Sequence, residues 1–288
     1  MKTSLPRIMT YGLVLIGLFS ACKTLNNDVT HEQMVAQKAS ADARKLVTES
    51  DFKTCKEGHR EKLENQVTMK NNLWGKTKVK RGNVELCIFK EGENCGWEWK
   101  IDNSASGVIG YPALEIGRTP WGGKKRKNSG GFPLLVSEID ALDVSYNFET
   151  HVKHRKYNLA FDIWLTDVSQ ADNKNITTEI MIWEDYFDFS SYGKVIESIL
   201  TPFGRYKVYK GYLKNDKFAQ DWVYIAFVRE SPRSEGKVDV KHFMDYLLEN
   251  EHVSPTDYFA SLELGNEIGN SSGITLVKEF EWKLKKKS

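Results

Sequence analysis

Glu179 stands in the run Thr178-Glu179-Ile180-Met181-Ile182-Trp183, and Glu267 stands in Leu264-Gly265-Asn266-Glu267-Ile268. Both runs alternate as strands do, and two carboxylates facing each other across a groove are the minimum equipment for cleaving a glycosidic bond. Residues two apart on a strand share a face. Glu179, Met181 and Trp183 therefore share one face, and Ile180 and Ile182 the other. In Phe161-Asp162-Ile163-Trp164-Leu165 the apolar face is Phe161, Ile163 and Leu165, which leaves Asp162 with Trp164. Further on, Leu262 and Leu264 point one way while Glu263, Gly265 and Glu267 point the other. A lone strand glutamate is ordinarily a solvent-facing residue. Acidic residues are depleted in strands, so three such faces, two of them carrying Trp or Met, need a reason. A groove with a carboxylate and aromatic floor supplies one.

The elements that must position these residues are short and numerous. Strand-like runs recur at residues 84–89, 96–101, 157–165, 177–183, 206–213, 222–229, 258–264 and 274–284. Turn signals separate them, among them Gly107, Gly117, Gly122-Gly123, Gly130-Gly131 and Gly273. That spacing predicts an all-β sandwich or barrel. The polar stretch 166–175 predicts a hairpin that sets Asp162 beside Glu179. Residues 238–250 are the exception: Val240, Phe243, Leu247 and Leu248 fall at helical spacing, which predicts one amphipathic helix on the outside of a sheet.

The chain of 288 residues carries 40% hydrophobic residues, enough for a core, and 12% aromatic residues with 8 Trp, a content suited to stacking on sugar rings. Its net charge of only +2 gives no electrostatic case for nucleic acid. Lys2 and Arg7 precede a short apolar stretch and then Leu18-Phe19-Ser20-Ala21-Cys22. This resembles a bacterial lipoprotein signal (residues 1–21) cut before a lipidated Cys22, with Phe19 departing from the usual Leu; ordinary secretion is the alternative. Residues 22–50 read as a polar tether and 51–288 as one domain. The expected location is the cell envelope, lipid-anchored at the outer membrane or cell surface, or else outside the cell. Either compartment permits disulfides. Cys55, Cys87 and Cys95 then allow at most one bridge. His151 and His154 fall on opposite strand faces, and no Cys/His cluster has metal spacing.

Ordered blocks along residues 55–284 carry a family resemblance. They are Asn71-Asn72-Leu73-Trp74-Gly75, Trp97-Glu98-Trp99, Gly110-Tyr111-Pro112, Tyr157-Asn158-Leu159-Ala160-Phe161-Asp162, Glu179-Ile180-Met181-Ile182-Trp183, Phe243-Met244-Asp245-Tyr246-Leu247 and Gly265-Asn266-Glu267-Ile268. In order and spacing they resemble glycoside hydrolase family 12, the β-1,4-endoglucanases and xyloglucanases. The resemblance implies a jelly-roll β-sandwich of two antiparallel sheets with a concave cleft and one packed helix. It implies Glu179 as nucleophile, Glu267 as general acid/base and Asp162 hydrogen-bonded to Glu179, in a retaining enzyme that needs no metal or organic cofactor. Asn72 and Trp74 would hold sugar, with Met181 and Trp183 on the floor. It also implies a Cys55–Cys87 bridge, leaving Cys95 as the odd thiol. Three positions depart from the family pattern: Asn266 for Thr, Ile268 for Pro or Ala, and Phe161 for Tyr.

The expected activity is endo-cleavage of a β-glucan (xyloglucan, mixed-linkage glucan or soluble cellulose) by a monomer. A non-catalytic glucan-binding lipoprotein on the same fold is the alternative, and an unrelated lectin-type jelly roll a third. Tyr111, Trp121, Tyr186 and Trp222 are candidates for shaping subsites; for Trp164 and Trp222 a core role is the default. The run Lys124 to Lys127 reads as a solvated loop or as a rim contact to substrate.

Overall fold

Strands with one apolar side must cover that side, and this chain covers it by stacking two sheets. The computed structural model describes residues 51–79, 81–92, 94–102, 107–121, 126–153, 156–214 and 221–288. The expected signal segment and tether, with Cys22, lie outside these residues, as do His154, Lys124 and Lys125. The smaller sheet runs in the order β1 (Phe52–Thr54), β4 (Val84–Glu91), β5 (Asn94–Ile101), β16 (Ser272–Lys286), β8 (Ile139–Lys153), β14 (Glu235–Asp239). The larger runs β11 (Lys194–Thr201), β12 (Gly204–Leu213), β13 (Trp222–Arg229), β10 (Ile176–Phe187), β9 (Tyr157–Thr166), β15 (Tyr258–Gly265), β6 (Ala113–Gly117), β3 (Thr68–Lys70), β2 (Arg60–Lys62), with the short β7 (Leu134–Leu135) on β15.

Strand parity holds on the three central strands. Ile180, Ile182, Phe161, Ile163, Leu262 and Leu264 join the inter-sheet core with Trp97, Val144, Tyr146 and Phe148 of the smaller sheet. The β9–β10 hairpin pairs Met181 with Asp162 and Glu179 with Trp164. Two expectations are corrected. The sheets are not wholly antiparallel: β10 and β13 run parallel, with Glu179 opposite Tyr224, because β11 and β12 intervene before the chain returns beside β10. The helix α1 (Val240–Glu249) does not lie outside a sheet. Its Phe243 packs on Tyr206 and Phe227, ring centroids 5.1 and 4.9 Å away, on the core side of β12 and β13. Asp239 caps it, accepting from the Lys241 N–H at 2.9 Å.

Two covalent or polar ties brace the sandwich. Cys55 and Cys87 form the disulfide, 32 residues apart, and Cys95 is a buried free thiol. By chain-entropy reasoning a loop of that length stabilises by about 3–4 kcal/mol. The second tie is Glu184, fully buried at a β-bulge in β10. Its carboxylate accepts from the hydroxyls of Tyr146 on β8 and Tyr206 on β12 and from Arg233 Nε at 2.6 Å, so it joins both sheets. Breaking such a network leaves buried groups unpaired. Glu184→Ala is expected to cost about 3–5 kcal/mol in urea unfolding; an unchanged midpoint would show that the tie contributes nothing.

Candidate active site

The second face of the larger sheet is a layer of its own. Across the strands the register sets Glu115 (β6) opposite Glu263 (β15), Glu263 opposite Asp162 (β9), and Asp162 opposite Met181 (β10), with Glu179 two residues from Met181. Glu115, Glu263 and Asp162 are buried, whereas Glu179 and Glu267 are partly exposed. Of the five carboxyls, these two are the ones a ligand can reach.

Each of the two is held by a dedicated donor. Trp222 Nε1 donates to Glu179 Oε2 at 2.9 Å. Glu267 is clamped at two points: its N–H donates to Asn158 Oδ1 at 2.8 Å, and Asn158 Nδ2 donates to its carboxylate. Asn266, the departure from the family pattern, is the anchor beneath. Its Nδ2 donates to the Asn158 carbonyl at 2.6 Å, and its Oδ1 accepts from Trp97 Nε1 and Thr275 Oγ1, both at 2.8 Å. Gly265 allows the close approach this needs, since a Cβ there would lie 2.1 Å from the Pro112 carbonyl oxygen.

Backbone bonds lace distant blocks to this loop. Tyr111 N donates to the Asn72 carbonyl at 2.7 Å, Gly75 N to Ile109 at 2.7 Å, and Ile268 N to Gly110 at 2.9 Å. Asn72 is thereby half-buried beside the site, and Trp74 stays half-exposed with Lys78 Nζ 4.5 Å from its ring centroid. Tyr111 is buried and donates its hydroxyl to the Ala160 carbonyl at 2.6 Å, a supporting rather than a sugar-facing position. Trp183 is buried and stacked on Phe189 (5.5 Å), so Phe189 and Tyr186, both partly exposed, offer the surface expected of Trp183. Met181 is buried too, its sulfur facing Trp183 Nε1 and the Tyr224 hydroxyl at 3.4 and 3.3 Å.

Trp164 and Trp222 are buried, as their default core role expects, but not between the sheets. Both belong to a cluster on the site face, where Trp121 meets Trp164 and Trp222 edge-on at 5.2 and 6.0 Å. Arg126, from the basic loop, donates Nε to the Trp121 carbonyl at 3.2 Å, while Lys127 is exposed. Sequence reasoning assigned no role to Asn158, Tyr224, Glu115, Lys70 or the donor function of Trp222. For Asn158 the signal was present: it lies four residues before Asp162 and so shares its face. A recess of about 370 Å³ lined by Thr150, His151, Val152, Tyr157 and Phe187 contains none of these carboxyls.

The electrostatics follow from burial. Desolvation raises Glu179 to about 8, with Glu267 and Glu263 adding repulsion and the Trp222 bond opposing it. Desolvation raises Glu267 to about 7 against the Asn158 bond. Asp162 is held well above the usual carboxylate range, by burial and then by the charge of Glu179. The Tyr224 hydroxyl is also held protonated, by burial and by Glu267 and Glu179. Mutually interacting groups give up protons one at a time, as a set. Each of the two carboxylates accepts from one side-chain N–H, Glu179 from Trp222 and Glu267 from Asn158, and Glu179 also lies beside the retained acid proton of Asp162. No hydrogen bond joins Asp162 and Glu179 among the described residues, and Asp162 Oδ1 has no partner. The expected direct bond is replaced by adjacency.

A β-sandwich presenting two reachable, pKa-raised carboxyls on an aromatic layer has the equipment of a glycan-cleaving hydrolase. The description glycosyl hydrolase family 12 matches residues 65–285, and the chain belongs to that family. It is 28% identical to endoglucanase S of Pectobacterium parmentieri over 75% of this chain and 81% of that protein. It is 23% identical to xyloglucan-specific endo-beta-1,4-glucanase A of Aspergillus aculeatus over 74% and 83%. The fold is shared with a family 12 xyloglucanase from Bacillus licheniformis (TM-score 0.73, 23% identity, 81% of this chain and 100% of that one). An endoglucanase from Rhodothermus marinus matches similarly (TM-score 0.69, 23% identity, 82% and 100%).

Removing the indole donor isolates its electrostatic effect. In Trp222→Phe, carbon-13 NMR is expected to show the Glu179 carboxyl titrating at higher pH, by about one unit; an unmoved titration would mean that the bond does not stabilise the carboxylate.

Proposed function

We propose that this chain is a retaining, endo-acting hydrolase of β-1,4-glucosidic bonds in β-glucans: xyloglucan, mixed-linkage glucan or soluble cellulose. One observation carries the reading. Among the five carboxyls of the site face, Glu179 and Glu267 are the ones open to a ligand, and each is gripped by its own N–H donor. Relatives named endoglucanase and xyloglucan-specific endo-beta-1,4-glucanase support the substrate class.

In this mechanism Glu179, ionised and oriented by Trp222, attacks the anomeric carbon. Glu267 gives its proton to the leaving glycosidic oxygen. Asp162 keeps its proton beside Glu179 and tempers the nucleophile's charge. In the second step Glu267, now a carboxylate, takes a proton from water as the water releases the sugar from Glu179. Asn72 and Trp74, tied to the Glu267 loop through residues 109–111, hold sugar at one end. Trp121, Tyr186 and Phe189 offer further ring surfaces. Cys22 carries the lipid that anchors the enzyme in the bacterial envelope.

The assay is reducing-end release from xyloglucan, barley glucan and carboxymethyl cellulose. Glu179→Gln and Glu267→Gln are each expected to lower kcat by at least about a thousandfold. Activity rises with pH as Glu179 ionises and falls as Glu267 loses its proton. Because both carboxyls are raised, the bell is expected near neutrality, above the usual carboxylate range of about 4. Wild type that binds glucan and releases no ends would leave the binding-protein alternative standing. For the anchor, Cys22→Ala is expected to move the protein from the membrane to the soluble fraction and to abolish palmitate labelling; unchanged fractionation and labelling would exclude lipidation.

A further inference from the structure

Beyond Asp162 the site face continues into a buried charge network with no part in the two-carboxyl chemistry. Glu263 stands opposite Asp162 across β15 and β9, and opposite Glu115 across β15 and β6. Lys70, from β3, pairs its Nζ with Glu263 Oε2 and reaches Glu115 at 3.7 Å. Arg60, from β2, pairs with Glu115. Lys70, Glu115 and Glu263 are all at least 95% buried. Glu263 spends one oxygen on Lys70. Its Oε1 has no hydrogen-bond partner, and neither has Asp162 Oδ1 on the adjoining strand. Buried ion pairs add little net stability compared with apolar side chains of the same volume. A buried ion pair directly across the strand pairing from Asp162 therefore calls for a role in the chemistry.

We propose that the Lys70–Glu263 ion pair is a positioning device for the reaction: Lys70 keeps Glu263 ionised, and ionised Glu263 holds Asp162 in its acid form beside Glu179. This rests on the assignment of Glu179 and Glu267 above. The groups facing Asp162 are Glu179 from β10, Glu263 from β15, Glu267 from the loop after it, Lys70 from β3, and the protonated hydroxyls of Tyr111 and Tyr224. After desolvation, Glu179 and then Glu263 contribute most to keeping the proton on Asp162, and Lys70 opposes them more weakly. The pair as a whole thus favours the acid form. Glu263 without Lys70 would itself take up a proton, since burial already raises it and the Lys70 charge is the main counterweight. Lys70 without Glu263 would pull the proton off Asp162. Glu179 then has an anion rather than a neutral acid beside it.

The test is the pH profile of kcat/KM for wild type, Glu263→Gln and the double variant Lys70→Met/Glu263→Gln. In Glu263→Gln loss of the Asp162 proton is expected to set the alkaline limb ahead of Glu267 and to move it to lower pH by about one unit, because only Glu115, 3.7 Å away, is left to answer the Lys70 charge. In the double variant both charges are gone, and the limb is expected to return most of the way. A purely structural pair would lower kcat in both variants with the limbs unmoved, and that result overturns the proposal. So does a double variant as displaced as the single one. Should Glu263→Gln fail to fold, Glu263→Asp keeps the charge and must keep the wild-type limb; a displaced limb there also overturns it. An inactive wild type would instead remove the hydrolase reading, so the two failures are distinct.

Discussion

Taking a carboxylate out of water is costly unless something answers its charge, and this sheet face carries five carboxyls in one continuous layer. The rest of the architecture follows from that constraint. Backbone bonds of β6, β15, β9 and β10 hold Glu115, Glu263, Asp162 and Glu179 in register, so these four cannot move apart to relieve repulsion. What remains is to hold protons, to accept N–H bonds or to pair with cations. Asp162 does the first, Glu179 and Glu267 do the second, and Glu115 and Glu263 do the third. Reactivity at Glu179 and Glu267 is the residue of an incompletely answered charge, which is why perturbed carboxyls gather where chemistry is done.

The scaffold supports this strain from the other side of the sheet. Ile180 and Ile182 sit in the core directly behind the Glu179–Met181–Trp183 face, and Phe161 and Ile163 behind Asp162. Shifting β10 by one residue would expose the isoleucines and bury the glutamate in the core, so the register of the site is secured by the hydrophobic effect. Glu267 lies beyond the last residue of β15 and lacks that protection. Side-chain bonds replace it, running from Thr275 and Trp97 through Asn266 to Asn158. Supporting groups of this kind hold a reacting side chain to the tolerance that catalysis demands.

Much of this was legible in the sequence, and most of the misses have physical causes. The eight runs read as strands are all strands, with ends extended by up to four residues. The long β8 was overlooked although its signal was present: Leu142, Val144, Tyr146 and Phe148 are buried and alternate with Asp143, Ser145, Asn147 and Glu149. The edge strand β11 has almost no buried side and hence no period to detect. Trp222 was taken for core because a buried Trp on a strand is ordinarily core; nothing local marks an indole whose N–H meets a carboxylate 43 residues away.

The sequence by itself determined the faces. A period of two is a local property, so it places Glu179 with Trp183 and Asp162 with Trp164 whatever the strands pair with. The ordered blocks placed the chain in its family. Only the tertiary structure decided the neighbours: the parallel register of β10 with β13, Lys70 against Glu263 across 193 residues, and Asn266 as the anchor of Glu267. Parity says which way a side chain points. What it meets there depends on contacts between strands far apart in the chain, and on the desolvation that those contacts impose together.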